Sequence, residues 1–469
     1  MRVAVFGMGY VGLVSAAGLA SWGHDVVGVE VARARLEALR AGRLPIHEPG
    51  LDDLVDEGVA SGRLVFADSL SDPEAVQVAV IAVGTHDGDG GWQTATIEAC
   101  LTSIAPTLAD DAAIVIRSTL PPSFLPRIRA LVDRLRGAVA RPSIPILVNP
   151  EFTKEGTAVS DFLRPDRIVV GQISDDADLG VARVRRLYAS LLPDTPFLVM
   201  DGHDAVLAKL GANLFLATKI SFANELAMLC EAYGADVSQV VNAMSFDERI
   251  GGKFLKAGIG FGGSCLPHQV TMTVREARRE GRDTPLLAAV ESINQQRRLD
   301  FVDRLAESAG GSLAGSTVAL LGLTFKPDTD DLREAPSLTI AAAALEAGAR
   351  VIAYDPMPSA RIRAASLVPG LEIVDSAMAA LDGADVAGLV TEWPEFVALD
   401  LAEARRVMRR PAVVDGRNAL DPEAVTSAGF TYIGFGRRVS DQEEAPAEIA
   451  PRRAWAASHD HLLASAAAD

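Results

Sequence analysis

The stretch RVAVFGMGYVGLVSAAGLASWGHDVVGVE, residues 2–30, decides the fold class. Arg2 to Phe6 is a short apolar run of strand length. Gly7, Gly9 and Gly12 follow at once in a GxGxxG spacing, with Tyr10 and Val11 between the last two. Leu13 to Trp22 then reads as a helix, and Asp25 to Val29 as a second strand ending at Glu30. In the order strand, glycine turn, helix, strand, acid, each glycine has a physical task. The first allows a tight turn, the second lets backbone approach a pyrophosphate at the helix N-terminus, and the third lets helix and strand pack closely. Glu30 stands 21 residues after Gly9, where a carboxylate accepts bonds from a ribose diol. The stretch therefore predicts a dinucleotide site rather than a decorative turn. The acid favours NAD over NADP, because it repels a 2′-phosphate, although Arg35 is a nearby cation that could accept one.

Working outward, more strand–helix units follow. Val78 to Val83 runs into Gly84-Thr85, Ala113 to Ile116 into Arg117-Ser118-Thr119, and Ile146 to Val148 into Asn149-Pro150-Glu151-Phe152. Polar residues recur just past strand C-termini, where open parallel sheets bind ligands, so Thr85, Thr119 and Glu151 are candidates to line the site. Singly, residues of these types at such places are more often helix caps or turn residues. From His203 the apolar residues recur at three- and four-residue spacings without a proline before Pro267, which predicts a long helix. Lys209 and Asn213 share one face of it, one turn apart. The segment ends in GIGFGGSC, residues 258–265, a glycine-dense loop presenting Cys265. The plainer alternatives are a solvated lysine, a capping asparagine and a buried thiol. Beyond residue 312 a second α/β sheet is expected: strands Thr317 to Leu321, Val351 to Tyr354, Val386 to Val390 and Ala412 to Val414, with a helix from Ser337 to Ala347 and no GxGxxG. Its loop cations, Lys326, Arg333 and Arg417, are either nucleotide contacts or solvated surface charge.

The totals narrow the class. The 469 residues are too many for one core, so two or three domains are expected. A net charge of −18 argues against nucleic acid as the main partner. No uninterrupted apolar run has the length of a membrane span, and the N-terminus reads as a strand, not a signal peptide. Three cysteines provide neither a disulfide framework nor a metal pattern, so no metal is expected and a reduced, cytoplasmic setting is the simplest.

The runs VAVFGMGYVG, LPIHEPGL, NPEFTKEGTA, PDRIVVG, AKLGANLFLATKISFANELA, GKFLKAGIGFGGSC, LGLTFKPDTDDLREAPSL and VVDGRNALDP together resemble the UDP-glucose/GDP-mannose dehydrogenases, from Met1 to about Arg438. The resemblance implies two Rossmann-like doubly wound domains joined by a central helical region that also makes a homodimer or higher oligomer. The expected boundaries are 1–200 for NAD, 201–311 for the helical region with the cysteine, 312–439 for the UDP-sugar, and 440–469 for a mostly disordered tail. It further implies oxidation of a nucleotide sugar's C6 alcohol to a carboxylate with two NAD⁺, by way of a cysteine thiohemiacetal and thioester. UDP-glucose to UDP-glucuronate, for polysaccharide biosynthesis, is favoured, with GDP-mannose or a UDP-N-acetyl sugar as alternatives.

Residue by residue, Cys265 matches the nucleophile, Lys209 the oxyanion donor and Asn213 its neighbour. Glu151 and Glu155 match carboxylates for acid–base work and the cofactor side, and Thr119 a threonine beside the cofactor. Phe152, Arg249, Phe254, Leu255 and the loop Gly258 to Gly263, with Gly262, match substrate-holding positions, and Arg249 is expected to reach the neighbouring subunit's site. Phe325, Lys326 and Arg417 match contacts from the second domain, and Arg333 a contact to NAD. The chain also departs from the pattern. Where the family has Lys-Asp after the cysteine, it carries His268-Gln269; His86 replaces a proline, Leu120 to Phe124 loosens a loop, and Gly88 to Thr96 lacks an Asp-Leu pairing. Glutamine accepts a hydrogen bond but takes no proton near neutral pH. A catalytically impaired, nucleotide-sugar-binding paralogue with a regulatory role is therefore the alternative to an active enzyme.

Overall fold

The computed structural model describes residues 1–86, 91–174 and 178–438. The expected tail, 440–469, and part of the Gly88 to Thr96 departure lie outside the described residues. The chain forms two compact units, and the division falls between Ala212 and Asn213, inside a helix. The first unit comprises residues 1–86 and 91–212, the second 213–438.

The first unit is built on β1 (Arg2–Phe6), β2 (Asp25–Val29), β3 (Leu64–Ala67), β4 (Val78–Ile81), β5 (Ala113–Ile116), β6 (Ile146–Val148), β7 (Ile168–Gln172) and β8 (Phe197–Asp201). They form one eight-stranded sheet in the order β3-β2-β1-β4-β5-β6-β7-β8, parallel except where β7 meets β6. Val3, Ala4 and Val5 are wholly buried, as are Ile81, Ile114 and Ile116. A strand covered on both faces must be apolar along its length, which is why these runs lack polar alternation. The first helix spans Tyr10–Ser21, starting earlier than the predicted Leu13, because Gly9 already stands at its N-cap. The fingerprint's last residues are thus the helix's own first turn.

The second unit contains β9 (Thr317–Leu321), β10 (Arg350–Tyr354), β11 (Glu372–Ile373), β12 (Val386–Leu389), β13 (Ala412–Asp415) and β14 (Thr431–Ile433). Their order is β11-β10-β9-β12-β13-β14, all parallel. Counted from β9, this is the same 3-2-1-4-5-6 winding as the first six strands of the other sheet. Each reverses direction beside its first strand, and such a switch point opens a crevice at the strand C-termini.

The predicted long helix spans Gly202–Tyr233 and ends at Gly234, whose φ of +66° leaves the helical region. By length and composition alone this helix is apolar enough to cross a membrane, but Lys209, Lys219 and Glu225 interrupt its apolar run. Two of its polar residues are spent inside the protein: Lys209 is paired, and Asn224 is fully buried and accepts from a backbone N–H.

Candidate active site

In the first unit, the glycine turn has the shape a pyrophosphate needs. Gly7 adopts φ +90° and donates to Val29 O at 2.9 Å, tying the end of β1 to β2. A Cβ on Gly12 would stand 1.8 Å from Gly7 O, so only glycine lets the helix start this close. A Cβ on Gly9 would meet nothing within 4 Å, so that face is open. Tyr10 and Val11 supply the first helical turn. Glu30, 4% exposed, accepts from Met8 N at 3.2 Å and Ala32 N at 2.8 Å. Arg35 turns its guanidinium onto this carboxylate at 3.2 Å. Arg35 is thereby committed to the acid, and the pair suits a ribose diol better than a 2′-phosphate. An open glycine cradle with an acid at the end of β2 fits a dinucleotide.

The ends of β4 and β5 are held together by Ser118, whose hydroxyl donates to Val83 O at 2.7 Å. Thr85 is buried beyond β4, and its carbonyl accepts from Gln93 N at 2.9 Å. Thr119 is half-buried beyond β5. His86 forms an isolated bridge with Trp92. Past β6, Asn149 is fixed by Arg117 and Tyr188, and Glu151 follows, 7% exposed. Glu151 Oε1 accepts from Lys209 Nζ at 2.9 Å, and Oε2 accepts from the Thr153 N–H at 2.7 Å and from the Thr153 hydroxyl. Burial pushes the Glu151 carboxyl up, but the Lys209 ammonium and the Thr153 donors outweigh it and hold it below the ordinary carboxylate range. Lys209 is 3% exposed, and its ammonium also lies 5.4 Å from the centre of the Phe152 ring. Arg167 stacks on that ring at 3.8 Å, a contact that sequence reasoning missed. Glu155 is half-buried in the same loop.

In the second unit, Asn213 Nδ2 donates to Gln269 Oε1 at 2.9 Å, and Gln269 is 2% exposed. Cys265 is half-buried at the N-cap of the helix Leu266–Arg279, with Ser264 Oγ 3.6 Å from its sulfur. A helix N-terminus favours a thiolate over a thiol, which suits a nucleophile. The glycine loop before it is pinned by backbone bonds: Gly258 N to Asn224 Oδ1 at 2.8 Å, Ile259 N to Gly416 O at 2.9 Å, Phe261 N to Asn294 Oδ1 at 2.7 Å and Gly263 N to Arg333 O at 2.9 Å. A Cβ on Gly258 would come 2.3 Å from Gly416 O, and one on Gly262 2.4 Å from Glu334 O.

Arg417 donates to three carbonyls, of Val390 at 2.7 Å, Gly260 at 2.9 Å and Phe325 at 3.0 Å. It therefore laces the glycine loop to the loops past β9 and β12. Lys326 lies over the Phe325 ring, and Arg333 pairs with Asp331 at 2.6 Å. Leu255 is buried, whereas Phe254 is left-handed at φ +64° and 37% exposed. Arg249 is exposed and bonded to Asp247.

Sequence reasoning singled out neither Asn224 nor Asn294, both buried and both holding the glycine loop. Asn224 had a readable signal, an amide three helical turns beyond Asn213 in an apolar helix. Among the described residues no group of three or more His, Cys, Asp or Glu side chains could hold a metal ion.

Comparison with known proteins gives matches along most of the chain. Residues 1–192 match the NAD binding domain of the UDP-glucose/GDP-mannose dehydrogenase family, residues 203–296 its central domain and residues 319–422 its UDP binding domain. A UDP-glucose 6-dehydrogenase of Pseudomonas aeruginosa is 42% identical over 446 residues, covering 93% of this chain and 98% of its own. One from Rhizobium meliloti is 39% identical, covering 93% and 100%. The solved UDP-glucose dehydrogenase of Pyrobaculum islandicum superposes with a TM-score of 0.83 at 36% identity, over 93% of this chain and 98% of that one.

Proposed function

The chain belongs to the UDP-glucose/GDP-mannose dehydrogenase family, and from that premise we propose that it oxidises the C6 alcohol of UDP-glucose to the carboxylate with NAD⁺. The observation that carries the reading is Cys265 at the head of a helix, directly after the glycine loop. NAD⁺ bound at the glycine turn supplies the hydride acceptor for each of two oxidations. Gly7, Gly9, Tyr10, Val11 and Gly12 hold its pyrophosphate, and Glu30 its ribose. Thr85, Thr119, Glu155 and Arg333 line the cofactor. Glu151 moves the hydroxyl proton, and the Lys209 ammonium donates to the oxygen that gains negative charge. Cys265 Sγ adds to the C6 aldehyde, carries the acyl group as a thioester after the second oxidation, and leaves as the thiol when water attacks. The balance is one alcohol, two NAD⁺ and one water to one carboxylate, two NADH and three protons.

Asn213 and Gln269 brace one another, and the carboxamide of Gln269 orients a group without taking its proton. The base for the hydrolytic water is then Glu151. Phe152, Phe254, Leu255, Gly258, Gly262, Phe325, Lys326 and Arg417 shape the nucleotide-sugar site. An impaired paralogue is not favoured, since Cys265, Lys209, Asn213, Glu151 and Glu155 are all retained and the relatives named above are UDP-glucose 6-dehydrogenases. The working form is a homodimer in a reducing cytoplasm that keeps Cys265 a thiol. Support for the dimer comes from Phe215, Phe222 and Leu229, seven residues apart on one helix and 66%, 48% and 55% exposed. Arg249, exposed within its own subunit, serves a neighbour's site in this reading.

The test is NADH release from purified protein with excess NAD⁺ and limiting UDP-glucose, with GDP-mannose and UDP-N-acetyl sugars alongside. About two NADH per UDP-glucose and a uronate product are expected. A burst equal to the protein concentration, followed by silence, would sink the four-electron reading. Preferred turnover of another sugar would move the substrate and leave the chemistry.

A further inference from the structure

The segment Leu44-Pro-Ile-His-Glu-Pro-Gly-Leu51 carries a carboxylate that the proposed chemistry does not use. Glu48 is 1% exposed, and three donors converge on it. Its Oε2 accepts from the Tyr10 hydroxyl and from Gly156 N at 2.8 Å, and its Oε1 accepts from Ala158 N at 2.6 Å. Among the described residues no Lys or Arg forms an ion pair with it, so oriented N–H and O–H dipoles hold the buried group.

The partners come from two places. Gly156 and Ala158 close the loop of Glu151 and Glu155 and open the helix Ala158–Leu163. That helix has Thr157 at its N-cap, but the Thr157 side chain does not cap it; its hydroxyl goes to Asp161 at 3.0 Å. Glu48 supplies the missing cap from a loop 110 residues earlier. Tyr10, the other partner, is the first residue of the glycine-turn helix. Burial and the neighbouring Glu48 raise the Tyr10 phenol far above its ordinary value, so it remains a neutral donor at any working pH. One carboxylate thus joins the start of the phosphate-binding helix to the end of the acidic loop.

We infer that Glu48 is a positioning residue for oxidation: it fixes the pyrophosphate-holding helix against the loop that carries Glu151 and Glu155. A carboxylate is the group for this task, because all three partners are donors and it only accepts. An amide in its place would set an N–H against the N–H of Gly156 or Ala158. The inference rests on the proposed NAD⁺ site, and its test reads cofactor binding apart from turnover.

The variants are Tyr10→Phe and Glu48→Gln in the full chain. Tyr10→Phe removes one donor and leaves both backbone bonds, so the fold is retained even if Glu48→Gln unfolds. By isothermal titration calorimetry, the Kd for NAD⁺ is expected to rise about fivefold in Tyr10→Phe and about tenfold or more in Glu48→Gln. KM for NAD⁺ should rise in parallel while KM for UDP-glucose stays within about twofold. A role confined to stability would lower the melting temperature and the active fraction but leave the Kd of the folded protein unchanged. An unchanged Kd in Tyr10→Phe overturns the inference. If the wild type binds NAD⁺ and releases no NADH from any nucleotide sugar, the proposed reaction fails while the Kd shifts still decide Glu48.

Discussion

Lys209 and Glu151 are 3% and 7% exposed, and charges so deeply buried persist because they are paired. Removing one leaves the other stranded, which costs about 3–5 kcal/mol. Lys209→Met should therefore lower stability by about that amount in urea titration and reduce NADH release by at least about a hundredfold. The pH dependence follows from the direction of the shift. With its carboxyl held below the unfolded value, about 4.3, Glu151 contributes stability that is complete above that value. The contribution disappears as pH falls through the lower folded value. In Lys209→Met only the Thr153 donors remain to oppose burial, so the acid limb of residual activity should move to higher pH; an unmoved limb would show that Glu151 is not the titrating base. Sequence named both residues but could not join them, because the pairing spans 58 positions and depends on the path between them. It also named Arg417, but could not show that three backbone carbonyls, of Val390, Gly260 and Phe325, hold its guanidinium in place.

The two sheets share one winding, yet their switch points differ in what the second strand's acid does. Glu30, after β2, stands beside an open glycine turn. Asp355, after β10, is wholly buried and accepts from Leu323 N, Thr324 N and Trp393 Nε1. Its carboxylate is consumed internally, so Asp355 does not stand open to a ribose diol as Glu30 does, despite the same topology. Specificity there falls to loops, and the glycine loop is the tightest of them. Gly258→Ala would drive a Cβ into the backbone oxygen of Gly416, which cannot rotate away. The expected result is about a tenfold or greater rise in KM for UDP-glucose, a stability loss of about 1–3 kcal/mol, and an unchanged Kd for NAD⁺ by calorimetry. Equal weakening of both ligands would mean that the loop serves the fold generally.

At the scale of the whole molecule, a net charge of −18 disfavours polyanionic partners, and an anionic nucleotide must be met by local donors. Self-association should then depend on apolar surface. Phe222→Glu on the exposed face of the long helix should shift the protein toward monomer in sedimentation velocity at micromolar concentration. If Arg249 serves a neighbour's site, the same variant should lose NADH release in step with dimer. A dimer that survives the substitution would place the interface elsewhere.

The sequence by itself determined the central strands of the two α/β sheets, the glycine turn, the acid after β2 and the long helix. Each is written in local periodicity, residue spacing or turn chemistry, and needs no distant partner to be read. It also exposed Lys209, Asn213, Glu151 and Cys265 as reactive types in suggestive places. Only the tertiary structure decided how they are held: Lys209 on Glu151, Asn213 on Gln269, the glycine loop on Asn224 and Asn294, and Glu48 as a cap for a helix 110 residues away. A buried polar group must find a partner wherever the chain brings one, and that choice is made by packing rather than by sequence neighbours.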